Sequence, residues 1–198
     1  MALDTLEDMT VLPICITGEP VLHQVAEPVV DFDDALSTLV ADMFETMEAA
    51  PGVGLAAPQI GIGRRLFVYD WTDADGTRTR GVAANPELWI SPPPIGIPDE
   101  DEEEGCLSIP GYRWDCRRHL HVVASGWTMH GDPIQVEGSQ MLARAIQHET
   151  DHLDGVLFVD RLDAEARAAA LAALEAAEWA GVPSYLPVPE PVVKVSPH

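Results

Sequence analysis

A chain of 198 residues, 46% of them apolar, is long enough to bury one sizeable core and is sized for a single domain. Its formal charge of −22, with only 11 basic side chains against 33 acidic ones, argues against an extensive nucleic-acid footprint, and three cysteines without CxxC spacing leave neither a disulfide framework nor a four-cysteine zinc site legible. No apolar run approaches membrane-spanning length, and the start of the chain is acidic (Asp4, Glu7, Asp8) where a secretory leader is basic and then apolar, so the expected location is cytoplasmic.

In chain order, residues 1–10 read as an acidic extension, 11–178 as one domain, and 179–198 as a Pro/Val-rich tail, irregular from Gly181 onward. Residues 11–16 alternate like a strand, with Cys15 a small buried hydrophobe among apolar neighbours. The spacing of Leu36, Leu39, Val40, Met43 and Met47 after Asp33 and Asp34 predicts an amphipathic helix over 33–49, stopped at Pro51. Leu66–Tyr69 and Gly81–Asn85 predict a strand pair across the polar turn 73–76, and 119–125 with 127–130 predict a second pair. The acidic run Asp99 to Glu104, after three prolines, reads as a solvated loop. Helices are expected at 140–153 and 163–178. Helices do not alternate regularly with strands, so the expected fold class is α+β with antiparallel sheets around the 140–153 helix.

That helix carries His148-Glu149-Thr150-Asp151-His152. Side chains at i and i+4 share a helix face, so the two imidazoles can converge on one metal ion, with Glu149 beside them as a proton acceptor for an activated water. Ser139 is a suitable N-cap, and Gly155 a left-handed stop. The competing reading is a pair of packed core histidines with a chance Glu between them. A helix-borne zinc site of this kind usually takes its third ligand downstream, but 163–179 offers only Glu165, Glu175 and Glu178 on an ordinary amphipathic helix. Cys106, in Glu104-Gly105-Cys106-Leu107-Ser108, is the better third ligand, leaving a fourth position for water. Cys116 has no obvious chemical neighbour.

Gly52-Val53-Gly54-Leu55-Ala56-Ala57-Pro58-Gln59-Ile60-Gly61 lacks the Lys-Ser/Thr of a phosphate-binding loop and the dinucleotide spacing. Its small residues permit close backbone approach, and the Gln59 amide is an uncharged donor suited to an oxyanion; tight packing between a helix and a strand is the alternative.

Taken in order, GVGLAAPQIG, EGCLS and HETDH resemble the three signature motifs of the peptide deformylases, which remove the formyl group from N-formylmethionine on new polypeptides. Asp42–Met47, Gly18–Leu22 and Ala26–Val29 extend the resemblance, which covers residues 11 to about 175. It implies a metal-dependent amide hydrolase in which Cys106, His148 and His152 hold one divalent ion, ferrous iron first, with zinc, nickel or cobalt as replacements. Glu149 would act as general base and then acid, with Gln59 and the Leu107 backbone N–H on the oxyanion. The peptide would pair with backbone near Val53 and Gly54, and Arg113 would border its groove. Arg144 reads as a snorkelling surface arginine, and Asp151 as a partner for an arginine or a ligand histidine, or as a helix-surface carboxylate. The implied partners are N-formylmethionyl nascent chains and the ribosome, although the 163–178 segment has only Arg167 against four acidic residues and so does not suit docking through a basic C-terminal helix. A zincin-like endopeptidase would leave Cys106 and Gln59 without purpose, whereas an amidase of different acyl specificity would use the same residues.

Overall fold

The structure is a computed structural model that describes residues 10–90 and 103–187. All but the last residue of the expected extension over 1–10, most of the acidic run and the last part of the tail therefore lie outside the described residues.

Nine strands and three α-helices are assigned among the described residues: β1 Ile14–Cys15, α1 Asp34–Ala49, β2 Gly54–Ala56, β3 Leu66–Thr72, β4 Arg78–Ile90, β5 Glu103–Cys106, β6 Ile109–Asp115, β7 His121–Trp127, β8 Pro133–Ser139, α2 Gln140–Leu153, α3 Ala164–Glu175 and β9 Ser184–Tyr185. The main sheet has the order β2-β3-β4-β7-β8 with every neighbouring pair antiparallel. β5 and β6 form a separate hairpin, and β1 pairs with β9.

Helix α1 starts where Asp33 accepts a hydrogen bond from the Leu36 N–H, the capping expected of that residue. Its apolar stripe, Leu36, Val40, Met43 and Met47, packs on Leu55, Leu66, Val68, Val82 and Ala84 of the main sheet. The other face of the sheet, carrying Phe67, Tyr69, Ala83, Val122 and Ala124, receives Leu142, Ala143 and Ile146 of α2. A third core beneath the hairpin joins Cys106, Ile109 and Cys116 to Phe158, Ala170 and Leu174. Helix α2 lies between these layers. Every residue from Ala145 to Leu153 is buried, polar Gln147, Thr150 and Asp151 included, so this helix is enclosed rather than merely amphipathic.

The α+β class and the central helix agree with the expectation, and several boundaries do not. The first strand shrinks to Ile14–Cys15, because Pro13 has no N–H and Leu12 N–H donates to the Thr46 hydroxyl instead of a ladder. The pair expected at 119–125 and 127–130 is β7 and β8; residues 128–132 are the turn between them, with Thr128 N–H donating to Asp132 O and Gly131 at φ +81°. The segment after Gly181 is not irregular throughout, since Ser184–Tyr185 adds a strand to β1. Ser139 stands at the N-cap of α2 by position, but its side chain makes no capping bond. Gly155 does end the helix in the left-handed region, at φ +73°.

Candidate metal centre

The two histidines of α2 face each other across one helical turn, with His148 Nε2 and His152 Nε2 3.2 Å apart. Cys106 arrives from β5. A register shift between Gly105 and Cys106 breaks the hairpin ladder and leaves Leu107 and Ser108 as the connection to β6, with Cys106 Sγ 3.2 Å from His152 Nε2. The three donor atoms lie within 4.8 Å of one another and all three residues are buried. Two nitrogens bound to one tetrahedral ion sit ~3.3–3.4 Å apart, given bonds of ~2.0–2.1 Å. The spacing therefore fits a single ion, and one thiolate with two imidazoles is a donor set for zinc or a comparable divalent transition metal.

Glu104 fixes the orientation of His148. Its Oε1 lies 2.6 Å from His148 Nδ1, and because a carboxylate only accepts, that nitrogen carries the proton and Nε2 is left as the donor atom. Glu104 also takes Arg118 through 2.7 and 2.9 Å contacts and Arg144 at 2.9 Å. Arg118 continues to Asp151 at 2.6 Å, and Arg161 closes on the same carboxylate. Burial alone would raise the Glu104 carboxyl, but Arg118 and His148 hold it well below the usual range. Burial likewise disfavours a charged His148, yet the Cys106 sulfur and Glu104 outweigh it and raise its pKa, while burial, followed by the proximity of His148, pushes that of His152 down.

Two sequence readings are corrected here. Glu104 is 3% exposed and belongs to the core of the site, not to a solvated acidic loop. Glu104 and Cys106 are both buried two residues apart in β5, but the register shift before Cys106 leaves too short a run for alternation to show in the sequence. Arg144 is not a snorkelling surface arginine: it binds Glu104 and donates to the Cys116 carbonyl at 2.7 Å. Cys116 itself is buried in the hairpin core, and burial with the nearby Glu104 charge pushes its thiol up to about 11. Asp151 partners arginines rather than a histidine. Arg118, which links the two carboxylates, was not singled out, since nothing in its local sequence distinguishes it from Arg117.

Glu149 points from α2 toward β2. Burial raises its carboxyl to about 7, against the charge of His148, and its Oε2 has no hydrogen-bond partner among the described residues. Gly54 makes room for it: a Cβ there would lie 2.6 Å from Glu149 Oε1. The turn Ala57–Ile60 follows β2, with Pro58 in its first positions and Gly61 at φ +79° behind it. Gln59 is held by the Ala56 N–H, which donates to its Oε1 at 2.8 Å; this leaves its Nε2 aimed at the cluster, 3.6 Å from Cys106 Sγ. Leu107 follows the cysteine directly. β2 is an edge of the main sheet, and the Val53 carbonyl on that edge is already taken by the Asp70 N–H, so Gly54 rather than Val53 turns its backbone groups to the open side. Arg113 is exposed on β6 opposite Gly105, its side chain lying across that glycine.

The structure therefore gathers residues from all three motifs into one buried cluster with an ionisable group and an amide donor beside it. A family profile described as polypeptide deformylase matches residues 11–168. The peptide deformylase of Acidothermus cellulolyticus is 50% identical over 190 residues, 96% of either chain. Among solved structures, the peptide deformylase of Thermus thermophilus aligns with a TM-score of 0.73 and 40% identity over 84% of this chain and 94% of that one. The peptide deformylase of Synechococcus elongatus in complex with actinonin gives 0.73 and 39% over 87% and 92%. Sequence and fold agree over nearly the whole length, and the chain belongs to the polypeptide deformylase family.

Proposed function

We propose that this chain is a metal-dependent hydrolase that removes the formyl group from N-formylmethionyl nascent polypeptides and releases formate. The observation that carries the reading is the buried Glu149 carboxylate, one oxygen unpartnered, beside the Cys106, His148 and His152 donors, with the Gln59 amide on the same cluster. Cys106, His148 and His152 would hold one divalent ion, ferrous iron in the cell. When bound, the ion supplies Lewis acidity that lowers the pKa of a water and polarises the formyl carbonyl. Glu149, whose carboxyl is tuned to about 7, takes the proton from the attacking water and delivers it to the leaving amine. The Gln59 Nε2 and the Leu107 N–H donate to the developing oxyanion. The substrate backbone adds to the open edge of β2 at Gly54, next to Val53, with Arg113 at the rim of the groove.

Its place is the cytoplasm, on chains emerging from the ribosome. Among the described residues no helix is long and apolar enough to cross a membrane, and the charge of −22 leaves little basic surface for direct contact with RNA. The test is release of formate from an N-formylmethionyl peptide and of acetate from its N-acetyl counterpart, with anaerobically iron- or nickel-loaded protein. Fast release from the formyl peptide alone is expected. Glu149→Ala should keep the metal and lose ~100-fold or more in kcat, the scale of a general acid–base contribution. Near-normal turnover of that variant would end the assignment of Glu149, and release from the acetyl peptide alone would make the protein an amidase of different specificity.

A further inference from the structure

The segment after α3 is not needed to complete the main sheet or the metal cluster, yet it returns to the loop that follows Cys106. Pro183 O accepts the Ile16 N–H at 2.9 Å, and Ser184–Tyr185 pairs with Ile14–Cys15. From that strand the Tyr185 hydroxyl donates to the Leu107 carbonyl at 2.9 Å. Trp179 Nε1 donates to the Pro110 carbonyl at 2.9 Å, and the Thr17 N–H to the Ser108 carbonyl at 2.8 Å. Two carbonyls of the β5–β6 connection and one at the start of β6 are thus held from outside the hairpin, two of the three by side chains of the C-terminal segment.

The Leu107 carbonyl has a second relation to the site. It is one end of the Leu107–Ser108 peptide unit, whose other end, the Ser108 N–H, donates to Cys106 Sγ at 3.4 Å. Carbonyl and N–H of a trans peptide point in opposite directions, so a donor on the oxygen fixes the plane and polarises the unit toward stronger donation from its nitrogen. We propose that Tyr185 is a positioning residue for the metal centre: its hydroxyl, anchored by the strand formed with β1, sets the Leu107–Ser108 peptide plane and through it both the hydrogen bond to the Cys106 sulfur and the direction of the Leu107 backbone. The part that concerns turnover rests on the deformylase reading; the part that concerns the sulfur does not.

The experiment uses the full-length protein loaded with Co2+, whose thiolate-to-metal charge-transfer band reports electron density at Cys106. Tyr185→Phe removes only the hydroxyl. Weaker donation to the sulfur should move the band to longer wavelength, and kcat for the formyl peptide should fall about tenfold, the lower end of effects from residues that support metal ligands, with KM changed less than twofold. Site-specific 3-fluorotyrosine at 185 keeps the ring and makes the hydroxyl a better donor, so its band should move the other way; this measurement decides the matter alone if the Phe variant does not fold. A Phe variant with lowered Tm but unchanged band overturns the proposal; a shifted band with unaltered turnover in an active enzyme overturns its part that concerns turnover and supports the part that concerns the sulfur. A wild type that releases no formate while the band shifts as described defeats the deformylase reading and leaves the role of Tyr185 toward the sulfur standing.

Discussion

Glu149 and Gly54 show how one atom decides a residue's use. The carboxylate occupies the space that a Cβ at position 54 would fill, 2.6 Å from Oε1, and the glycine belongs to a strand with no slack because β2 pairs through Leu55 and Ala56 with β3. Gly54→Ala should therefore displace the carboxylate while leaving the three metal donors in place. We expect kcat to fall ~100-fold, the cost of an ångström-scale misplacement of a reacting group, with metal content by mass spectrometry unchanged. Glu104 carries a different load. It is the common acceptor for His148, Arg118 and Arg144 in a buried network, so Glu104→Gln leaves cations without their counter-charge. Removing one member of a buried pair costs about 3–5 kcal/mol, and losing the partner of a ligand histidine weakens metal binding about 10–100-fold. Thermal unfolding and competition with a chelator measure the two effects separately.

At the scale of elements, the β5–β6 hairpin is the part that the sequence presented least clearly. Its strands are short, its register shifts at Cys106, and Gly and Pro punctuate it, so no alternation long enough to read survives. Its stability comes from a core shared with α3 and the Phe158–Arg161 turn. Cys116 sits in that core and tests it. Desolvation, followed by the Glu104 charge, raises the thiol from an ordinary 9.0 to about 11, so the folded state favours the protonated form. A folded pKa above the unfolded one contributes stability that is complete below the unfolded value and is lost as pH rises toward the folded value. The hairpin core should accordingly lose stability between about pH 9 and pH 11. Iodoacetamide at pH 8.5 should label Cys116 only in denaturant; rapid labelling of the native protein would mean that the hairpin opens.

Over the whole molecule, charge opposes compactness. A net −22 on 198 residues makes the folded state repel itself more than the expanded chain does, and salt screens that repulsion over ~10 Å at 0.1 M. The melting temperature should therefore rise as sodium chloride goes from ~10 mM to ~0.3 M, where Debye lengths fall several-fold; a flat or falling curve would show that the ion pairs, such as Arg80 with Glu48 and Asp70, outweigh the net charge.

The sequence alone determined whatever rests on local spacing. Two imidazoles four apart on a helix share a face, the helix over 34–49 follows from its apolar period, and Gly155 stops α2 because only a residue free of Cβ adopts that φ without cost. The segment around Cys106 made it the candidate third ligand, and the ordered motifs carried the family. Tertiary structure decided what depends on which distant segments meet. Burial turned Glu104 from a member of an acidic run into the partner of His148, drew Arg144 and Arg118 inward to balance it, and brought Tyr185 onto the loop beside Cys106. The reason is physical: a charge or a hydroxyl acquires its role from the desolvation and the partners that packing imposes, and residues far apart in the chain supply those partners without leaving a periodic trace in the sequence.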